Sequence, residues 1–520
     1  MNGSEAMVHT LLNGGVDVCF GNPGTSEMHF VSALDAIPKM RCILGLFEGV
    51  ITGAADGYYR IADKPAATLL HLGPGLANGL ANLHNAKRAG SGVVNIVGQH
   101  AVDHLANDAP LTSDIEGLAR PMSHWVRTAM SADAAASDTA AAIAQARATP
   151  GQIATLILPA DAAWGSCAAG ASSVPAASGP RRVDMDRVDA IARVIRGARE
   201  PGRVALLLGG RGTRARASEW AGRLAAKCGV RLLCETKSAR TERGRGRVNI
   251  PKIPYPFEPS LALLKEVSTL ILVGAPNPVA FFAYPDKPRF LMPPGSAVHT
   301  LATAADDIEA MLEALCDALG CRSSAPALIG QPRDFGALPA GKPTSEAIGH
   351  VMAACMPENT IVVDEAITTG RMLHNFTASA APHDWLEITG GSLGYGLPAA
   401  VGAAVAAPNR KVLAIIGDGT AMYTLQSLWT MARENLDVTV VICANRVYRI
   451  LFGELDSMGK AAPGPSAKRM LTLDGPVLDW VSIAKGHGVD ARRAEDLAAF
   501  ASALHDAMNS RGPHLIELVL

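Results

Sequence analysis

Residues 412–449 read VLAIIGDGTAMYTLQSLWTMARENLDVTVVICANRVYR, and their pattern decides the fold. VLAII is an unbroken apolar run of strand formers, as expected of a strand buried on both faces. It ends in Gly417-Asp418-Gly419-Thr420, where two glycines allow a tight turn and close approach to a ligand. Leu425, Leu428, Trp429 and Ala432 recur at helical spacing, Asn435 ends that helix, and VTVVIC forms a second buried strand running into Ala444-Asn445. In a parallel sheet both strand ends lie on the carboxyl edge, where ligands of open α/β sheets bind. One carboxylate and one carboxamide thus meet at that edge. Hard oxygen ligands in small number suit Mg²⁺ held together with phosphates. The glycine loop at a helix N-terminus supplies amide donors for the same phosphates. The bland reading is an ordinary αβ unit with a turn aspartate; the 27-residue step from Asp418 to Asn445 favours the ligand site.

Composition sets the outer bounds. A chain of 520 residues, 48% hydrophobic and 18% charged, is globular and long enough for about three domains. A net charge of −1 gives no electrostatic case for nucleic acid or an anionic membrane as partner. The nine cysteines show no CxxC pairing, which points to a reducing compartment and not to a disulfide scaffold or zinc site. The N-terminal stretch lacks the basic and apolar regions of a signal peptide, and no apolar run is long enough to span a bilayer. A cytoplasmic enzyme is expected.

Working outward, residues 1–165 read as a parallel α/β domain. A helix at 4–14 and a strand at 17–20 lead into Gly21-Asn22-Pro23-Gly24-Thr25-Ser26-Glu27. A second strand ends before Glu48, which opens the helix VITGAADGYYRIA; alone, such a glutamate answers the helix dipole. A third ends in His71-Leu72-Gly73-Pro74-Gly75. Residues 166–184 are small and rich in Pro, Gly and Ser, and read as a linker. Residues 185–330 form a middle Rossmann-like unit. There VALLLGG is followed by Gly210-Arg211-Gly212-Thr213-Arg214-Ala215, a relaxed dinucleotide fingerprint with Glu235 near the place of a ribose-binding acid. FAD or NAD is the functional reading of that turn; a Rossmann-like unit without a nucleotide is preferred. ERGRGR (242–247) reads as a solvated loop, and 331–343 as a second linker. The third domain spans 344–520, and its segment from Phe452 to Leu478 has little pattern, as expected of a mobile piece over a site.

Three stretches far from 417–445 carry a resemblance. NPGTSE (22–27), LFEGVITGAADGYYR (46–60) and HLGPGLANG (71–79) resemble the pyrimidine-binding domain of thiamine-diphosphate (ThDP) enzymes. Gly-Asp-Gly with Asn445 resembles the diphosphate–Mg²⁺ motif of the same family. Order and spacing are most similar to the benzoylformate decarboxylase branch, which includes acetolactate synthase-like proteins. The resemblance covers essentially the whole chain and implies three Rossmann-like parallel-sheet domains: pyrimidine-binding, middle and diphosphate-binding.

It also implies roles. Glu48 matches the glutamate that hydrogen-bonds N1′ of the aminopyrimidine. Leu393 matches the apolar wedge between the two cofactor rings, and Gly391 the carbonyl facing the exocyclic amine. Asp418, Asn445 and the Val447 carbonyl match the Mg²⁺ ligands. Thr368, Thr369, Gly417, Gly419, Thr420, Ala421 and Tyr448 are candidates for the diphosphate. In the metal loop, Ala444-Asn445-Arg446 stands where relatives usually carry Asn-Asn-Gly. His71 matches a catalytic histidine of benzoylformate decarboxylases that acetolactate synthases lack, and Thr25 stands where those decarboxylases carry a serine. Their second histidine is replaced by Ala280-Phe281-Phe282. His100 and His104 are further polar candidates near the pocket.

The expected function is ThDP- and Mg²⁺-dependent, non-oxidative decarboxylation of a small 2-oxo acid, with possible carboligation. An acetolactate synthase-like carboligase acting on pyruvate is the runner-up. In the family the glutamate and the diphosphate site come from different subunits, so a homodimer is the minimum and a homotetramer the larger expectation. From another class, Gly390-Gly391-Ser392-Leu393-Gly394 fits a nucleophile elbow, with Asp418 and His487 following in α/β-hydrolase order. That reading leaves Glu48 and Asn445 idle. A non-catalytic paralogue fits less well, because every cofactor position carries a usable group.

Overall fold

The structure, a computed structural model, describes residues 1–330, 338–460 and 462–520. Its strands form three sheets. The first contains β1 (Val18–Gly21), β2 (Arg41–Leu44), β3 (Ala66–Leu70), β4 (Val93–Gln99), β5 (Trp125–Thr128) and β6 (Ile153–Pro159). Their spatial order is β2-β1-β3-β4-β6-β5, and every pair is parallel. Helices cover both faces, so β3, β4 and β6 are buried at every position and read as continuous apolar runs.

The middle sheet is built from β7 (Val204–Leu208), β8 (Arg231–Cys234), β10 (Thr269–Val273) and β11 (Ala297–Ala302), in the order β11-β10-β7-β8 and again parallel. The strand β9 (Thr241–Arg243) leaves it and joins the third sheet. There it meets β12 (Ile361–Glu365), β13 (His383–Glu387), β14 (Val412–Gly417), β15 (Val438–Ala444), β16 (Asp490–Ala494) and β17 (His514–Val519). The order is β16-β17-β15-β14-β12-β13-β9, parallel except for β9, which runs antiparallel on the β13 edge.

Two segments differ from the sequence expectation. ERGRGR is not wholly a solvated loop, because Glu242 and Arg243 lie in β9, opposite Asp384 and His383. Arg243 is buried with its guanidinium 5.3 Å from the centre of the Trp385 ring and donates to Thr377 Oγ1 at 2.9 Å. A distant partner supplies what local composition cannot. The stretch after Phe452 is also not patternless: helices Arg449–Ser457 and Pro465–Leu471 flank the carboxyl edge. Tyr284 of the middle unit donates to Glu454 on the first of them at 2.9 Å. The linker expected at 166–184 holds no extended strand or helix, and that at 331–343 lies partly outside the described residues.

The first and third sheets are joined through the helices Glu48–Ala62 and Gly396–Ala406, which cross backbone to backbone. A Cβ on Gly402 would overlap the Ala54 carbonyl, and one on Gly57 the backbone of Ala399. Ile51, Ala54, Tyr58, Tyr395, Leu397 and Ala400 therefore share one core. Arg60, fully buried on the same helix, donates to Asp56 at 2.8 and 2.7 Å, to the Glu387 carbonyl at 2.6 Å, to Tyr395 Oη at 2.9 Å and to the Ala239 carbonyl at 3.3 Å. One side chain thus touches all three parts of the chain. No helix among the described residues is long and apolar enough to cross a membrane.

Candidate active site

Parallel pairing of β14 with β15 places Gly417 beside Cys443, so the two strands end together. Asp418 follows one end and Asn445 the other. Asp418 Oδ1 accepts from the Gly419 amide at 2.9 Å and Oδ2 from the Arg446 amide at 2.6 Å, while Asn445 Oδ1 accepts from the Val447 amide at 3.0 Å. Burial pushes the Asp418 carboxyl up, against the pull of those amides. Arg446 sits at φ 57°, the left-handed conformation that a glycine adopts freely and that costs another residue about 1 kcal/mol. The loop therefore keeps a glycine-like shape with an arginine in it. A carboxylate, a carboxamide oxygen and a backbone carbonyl form a hard-oxygen donor set that fits Mg²⁺.

These residues open onto a cavity of about 640 Å³. Thr368, Thr369, Gly391, Leu393, Gly417, Gly419, Thr420 and Tyr448 line it beside Asp418, Asn445 and Val447. Ala421 lies behind the wall, fully buried. The opposite wall comes from the middle unit. Tyr255, Phe281 and Phe282 form an aromatic row with ring centres 5.2 and 5.0 Å apart, and the tip of Phe281 lies 3.0 Å from where a Gly391 Cβ would stand. Lys237 and Lys252, also in that wall, share the buried Glu387 carboxylate. Burial works against the Lys237 ammonium, but Glu387 and Asp364 outweigh it and hold its pKa above the ordinary value.

A second cluster forms at the carboxyl edge of the first sheet. Glu48 is the first residue of its helix, and its Oε2 accepts from Asn78 Nδ2 at 3.0 Å. Gly75 packs close beside it: a Cβ there would lie 3.3 Å from Oε1 and from His71 Cβ. His71 precedes the helix Leu72–Ala89, and its Nδ1 lies 2.8 Å from Glu27 Oε2 and 3.2 Å from Ser26 Oγ. Facing a buried carboxylate, Nδ1 carries the proton, which leaves Nε2 as the acceptor nitrogen. The Glu27 side chain is 0% exposed, held also by the Gly24 amide at 2.7 Å. Thr25 lies exposed next to this pair. His100 and His104 stack edge to face, 5.5 Å apart, just beyond β4.

The structure brings the metal and diphosphate candidates together in one cavity, and Glu48 with His71 and Thr25 in another region of the first sheet. Within one chain the second group does not line the cavity. Sequence reasoning had not assigned Glu27, Asn78 or Glu365. Glu27 and Asn78 stand inside the quoted motifs NPGTSE and HLGPGLANG; Glu365 carries no motif signal at all. The nucleophile-elbow reading fails, because Ser392, Asp418 and His487 make no bond to one another among the described residues. His487 Nδ1 is spent on the Ile483 carbonyl of its own helix, and both Asp418 oxygens on backbone amides. At the Gly209-Gly210 turn the Glu235 carboxyl fills the space over Gly209 and accepts from the Gly210 amide.

Comparisons with known proteins bear on the family and the fold. Residues 1–119 match the model of the thiamine pyrophosphate enzyme N-terminal TPP binding domain, and residues 367–518 that of the C-terminal TPP binding domain. The chain is 50% identical over 521 residues to a Mycobacterium tuberculosis protein named "Putative acetolactate synthase large subunit IlvX", covering 100% of this chain and 99% of that one. It is 29% identical over 536 residues to benzoylformate decarboxylase of Pseudomonas aeruginosa, covering 99% and 98%. Among solved structures, the ThDP-dependent 4-hydroxybenzoylformate decarboxylase of Rhodococcus jostii RHA1 superposes with a TM-score of 0.84 at 23% identity, covering 99% of this chain and 98% of the other. With both cofactor-binding domains matched and a half-identical relative aligned from end to end, the chain belongs to the thiamine pyrophosphate enzymes.

Proposed function

We propose that this protein is a ThDP- and Mg²⁺-dependent, non-oxidative 2-oxo acid decarboxylase that works as at least a homodimer. When bound, ThDP supplies a carbon nucleophile for the 2-oxo carbonyl and a sink for the electron pair left by CO₂. Asp418, Asn445 and the Val447 carbonyl would hold Mg²⁺, and the amides after Gly417, that of Thr420 included, with the hydroxyls of Thr368 and Thr369 would hold the diphosphate. Glu48, kept in place by Asn78, holds a proton at N1′. Leu393 and the Gly391 carbonyl set the pyrimidine. The observation that carries the decarboxylase reading is the Glu27–His71 pair. It fixes the imidazole so that Nε2 can give a proton to the product carbon and take it back from an adjacent hydroxyl. Thr25 offers a hydroxyl for the substrate carboxylate.

Because Glu48, His71 and Thr25 do not line the cavity of their own chain, a second copy supplies them, and a pair of such dimers gives a tetramer. A second reading, carboligation of the acetolactate synthase kind, draws support from the name of the half-identical relative and from Phe281-Phe282 in place of the second histidine.

CO₂ release from aliphatic and aromatic 2-oxo acids, with analysis of each organic product, tests the assignment. Aldehyde is the expected product; acetolactate from pyruvate would favour the second reading. Glu48→Gln should still bind ThDP yet lose most turnover, and full turnover would sink the proposed proton path. Mixing the inactive Glu48→Gln and Asp418→Asn variants should restore activity, since a hybrid dimer regains one intact site.

A further inference from the structure

Glu365 ends β12 one strand away from the metal loop, and its side chain is 1% exposed. The carboxylate does not face the cavity. It turns instead onto the loop that carries Gly391 and Leu393, where Oε1 accepts from the amides of Gly394 at 2.7 Å and Tyr395 at 3.1 Å. Oε2 accepts from the Gly396 amide at 2.7 Å. Three successive amides at the start of the helix Gly396–Ala406 thus converge on one carboxylate. The backbone of Glu365 reaches the other way: it pairs with Ile416 of β14, one residue before the loop assigned to the diphosphate, and its carbonyl lies 3.3 Å from Thr420 Oγ1, whose shorter bond of 2.9 Å goes to the Gly417 carbonyl.

The fit is close on both sides. A Cβ at Gly396 would come 2.3 Å from Ile416 Cδ1 and 3.0 Å from Glu365 Cβ and Oε2, so a side chain there would press on both the core and the carboxylate. Gly391 and Gly394 both lie at positive φ, 74° and 90°, so the loop has little intrinsic preference for its shape and needs an external clamp. Asn82 and Asn85, on the helix Leu72–Ala89, clamp the same loop through the carbonyls of Gly394 and Ser392 at 3.1 and 2.8 Å.

We infer that Glu365 is a positioning residue that locks the pyrimidine-binding loop 391–396 at a fixed distance from the diphosphate loop 417–421. This inference rests on the ThDP reading and adds a residue that acts through others. The carboxylate sets where Gly391 and Leu393 stand, while the pairing of β12 with β14, Glu365 opposite Ile416, ties that placement to the loop after Gly417. Loss of the carboxylate therefore weakens the hold on the pyrimidine end of the cofactor and leaves the hold on the diphosphate in place. Burial pushes the Glu365 carboxyl up to about 7 against the pull of its three amides, as expected of a group kept for its geometry and not for solubility.

The test is calorimetric titration of the full-length protein with two ligands, ThDP and inorganic diphosphate, each with Mg²⁺. The proteins are wild type, Glu365→Gln and Glu365→Ala. Glutamine keeps the volume and the acceptor for Gly394 and Tyr395, but turns an N–H toward the Gly396 amide. The expected result is a loss of ThDP affinity of roughly tenfold or more in both variants, with diphosphate affinity within about twofold of wild type. Unchanged ThDP affinity in Glu365→Gln would overturn the inference, even if Glu365→Ala fails to fold. A parallel loss for both ligands would also overturn it, reducing Glu365 to general scaffolding. If wild type binds diphosphate but not ThDP, the cofactor reading itself falls and takes the inference with it.

Discussion

Replacing Arg60 with methionine should loosen the contact among all three parts of the chain. Asp56 and Arg60 have side-chain exposures of 0% and 1%, and the guanidinium makes two bonds to that carboxylate. Without it, Asp56 keeps only the Ser91 hydroxyl, and the Glu387 carbonyl and Tyr395 hydroxyl lose a donor. Removing one member of a buried ion pair costs about 3–5 kcal/mol, most of it from the charge left behind. Removing both charges costs much less, so Asp56→Leu combined with Arg60→Met should recover all but about 1–2 kcal/mol. Urea unfolding followed by intrinsic fluorescence reads this directly, since Trp385 lies in the third sheet and Trp125 in the first. In Arg60→Met the first transition should move to lower urea, and the signals of the two sheets should separate. A shift below about 1 kcal/mol, or a double variant that loses as much as both singles added together, would refute the buried staple.

Other outcomes follow from buried groups and close approaches. Burial pushes the Glu235 carboxyl from 4.5 to about 7. Between those values the folded state keeps a proton that the unfolded state has lost, so stability falls as pH rises through that window. Glu235→Gln escapes this and should be more stable than wild type at pH 8 by up to about 3 kcal/mol, with the gap closing near pH 4; parallel urea midpoints at both pH values would count against it. Gly402→Val should cost about 3 kcal/mol by driving a side chain into the Ala54 carbonyl. Gly453→Val, with open space around its Cβ position, should cost almost nothing, and urea midpoints of the two variants compare them directly.

The third sheet and the polar groups at its carboxyl edge were legible because a buried parallel strand writes itself as an apolar run and its site candidates sit one residue past the end. Asp418 and Asn445 follow from that rule, whereas the threonines of the cavity were carried by the resemblance. Glu48 and His71 were legible only through their motifs, since a lone glutamate at a helix start or histidine before a turn has ordinary explanations. Glu27 and Glu365 were not read as working residues because their partners are distant: a ring 44 positions away, and amides 29 to 31 positions away. Local pattern carries no record of such pairings. Composition misled at Arg243, where a basic, glycine-rich run normally means solvent and here means a ring stacked in the interior.

The antiparallel strand β9 has a consequence for how the gene can be cut. A fragment beginning at Thr344 would carry the metal loop and the cavity floor but leave β13 as a bare margin, with Trp385 and Asp384 stripped of their cover. An unpaired margin of that kind recruits other chains. The diphosphate-binding unit is therefore not a portable module. Its outermost strand is lent by the middle unit, so exchanging that unit between relatives also exchanges the strand, residues 241–243, that covers β13.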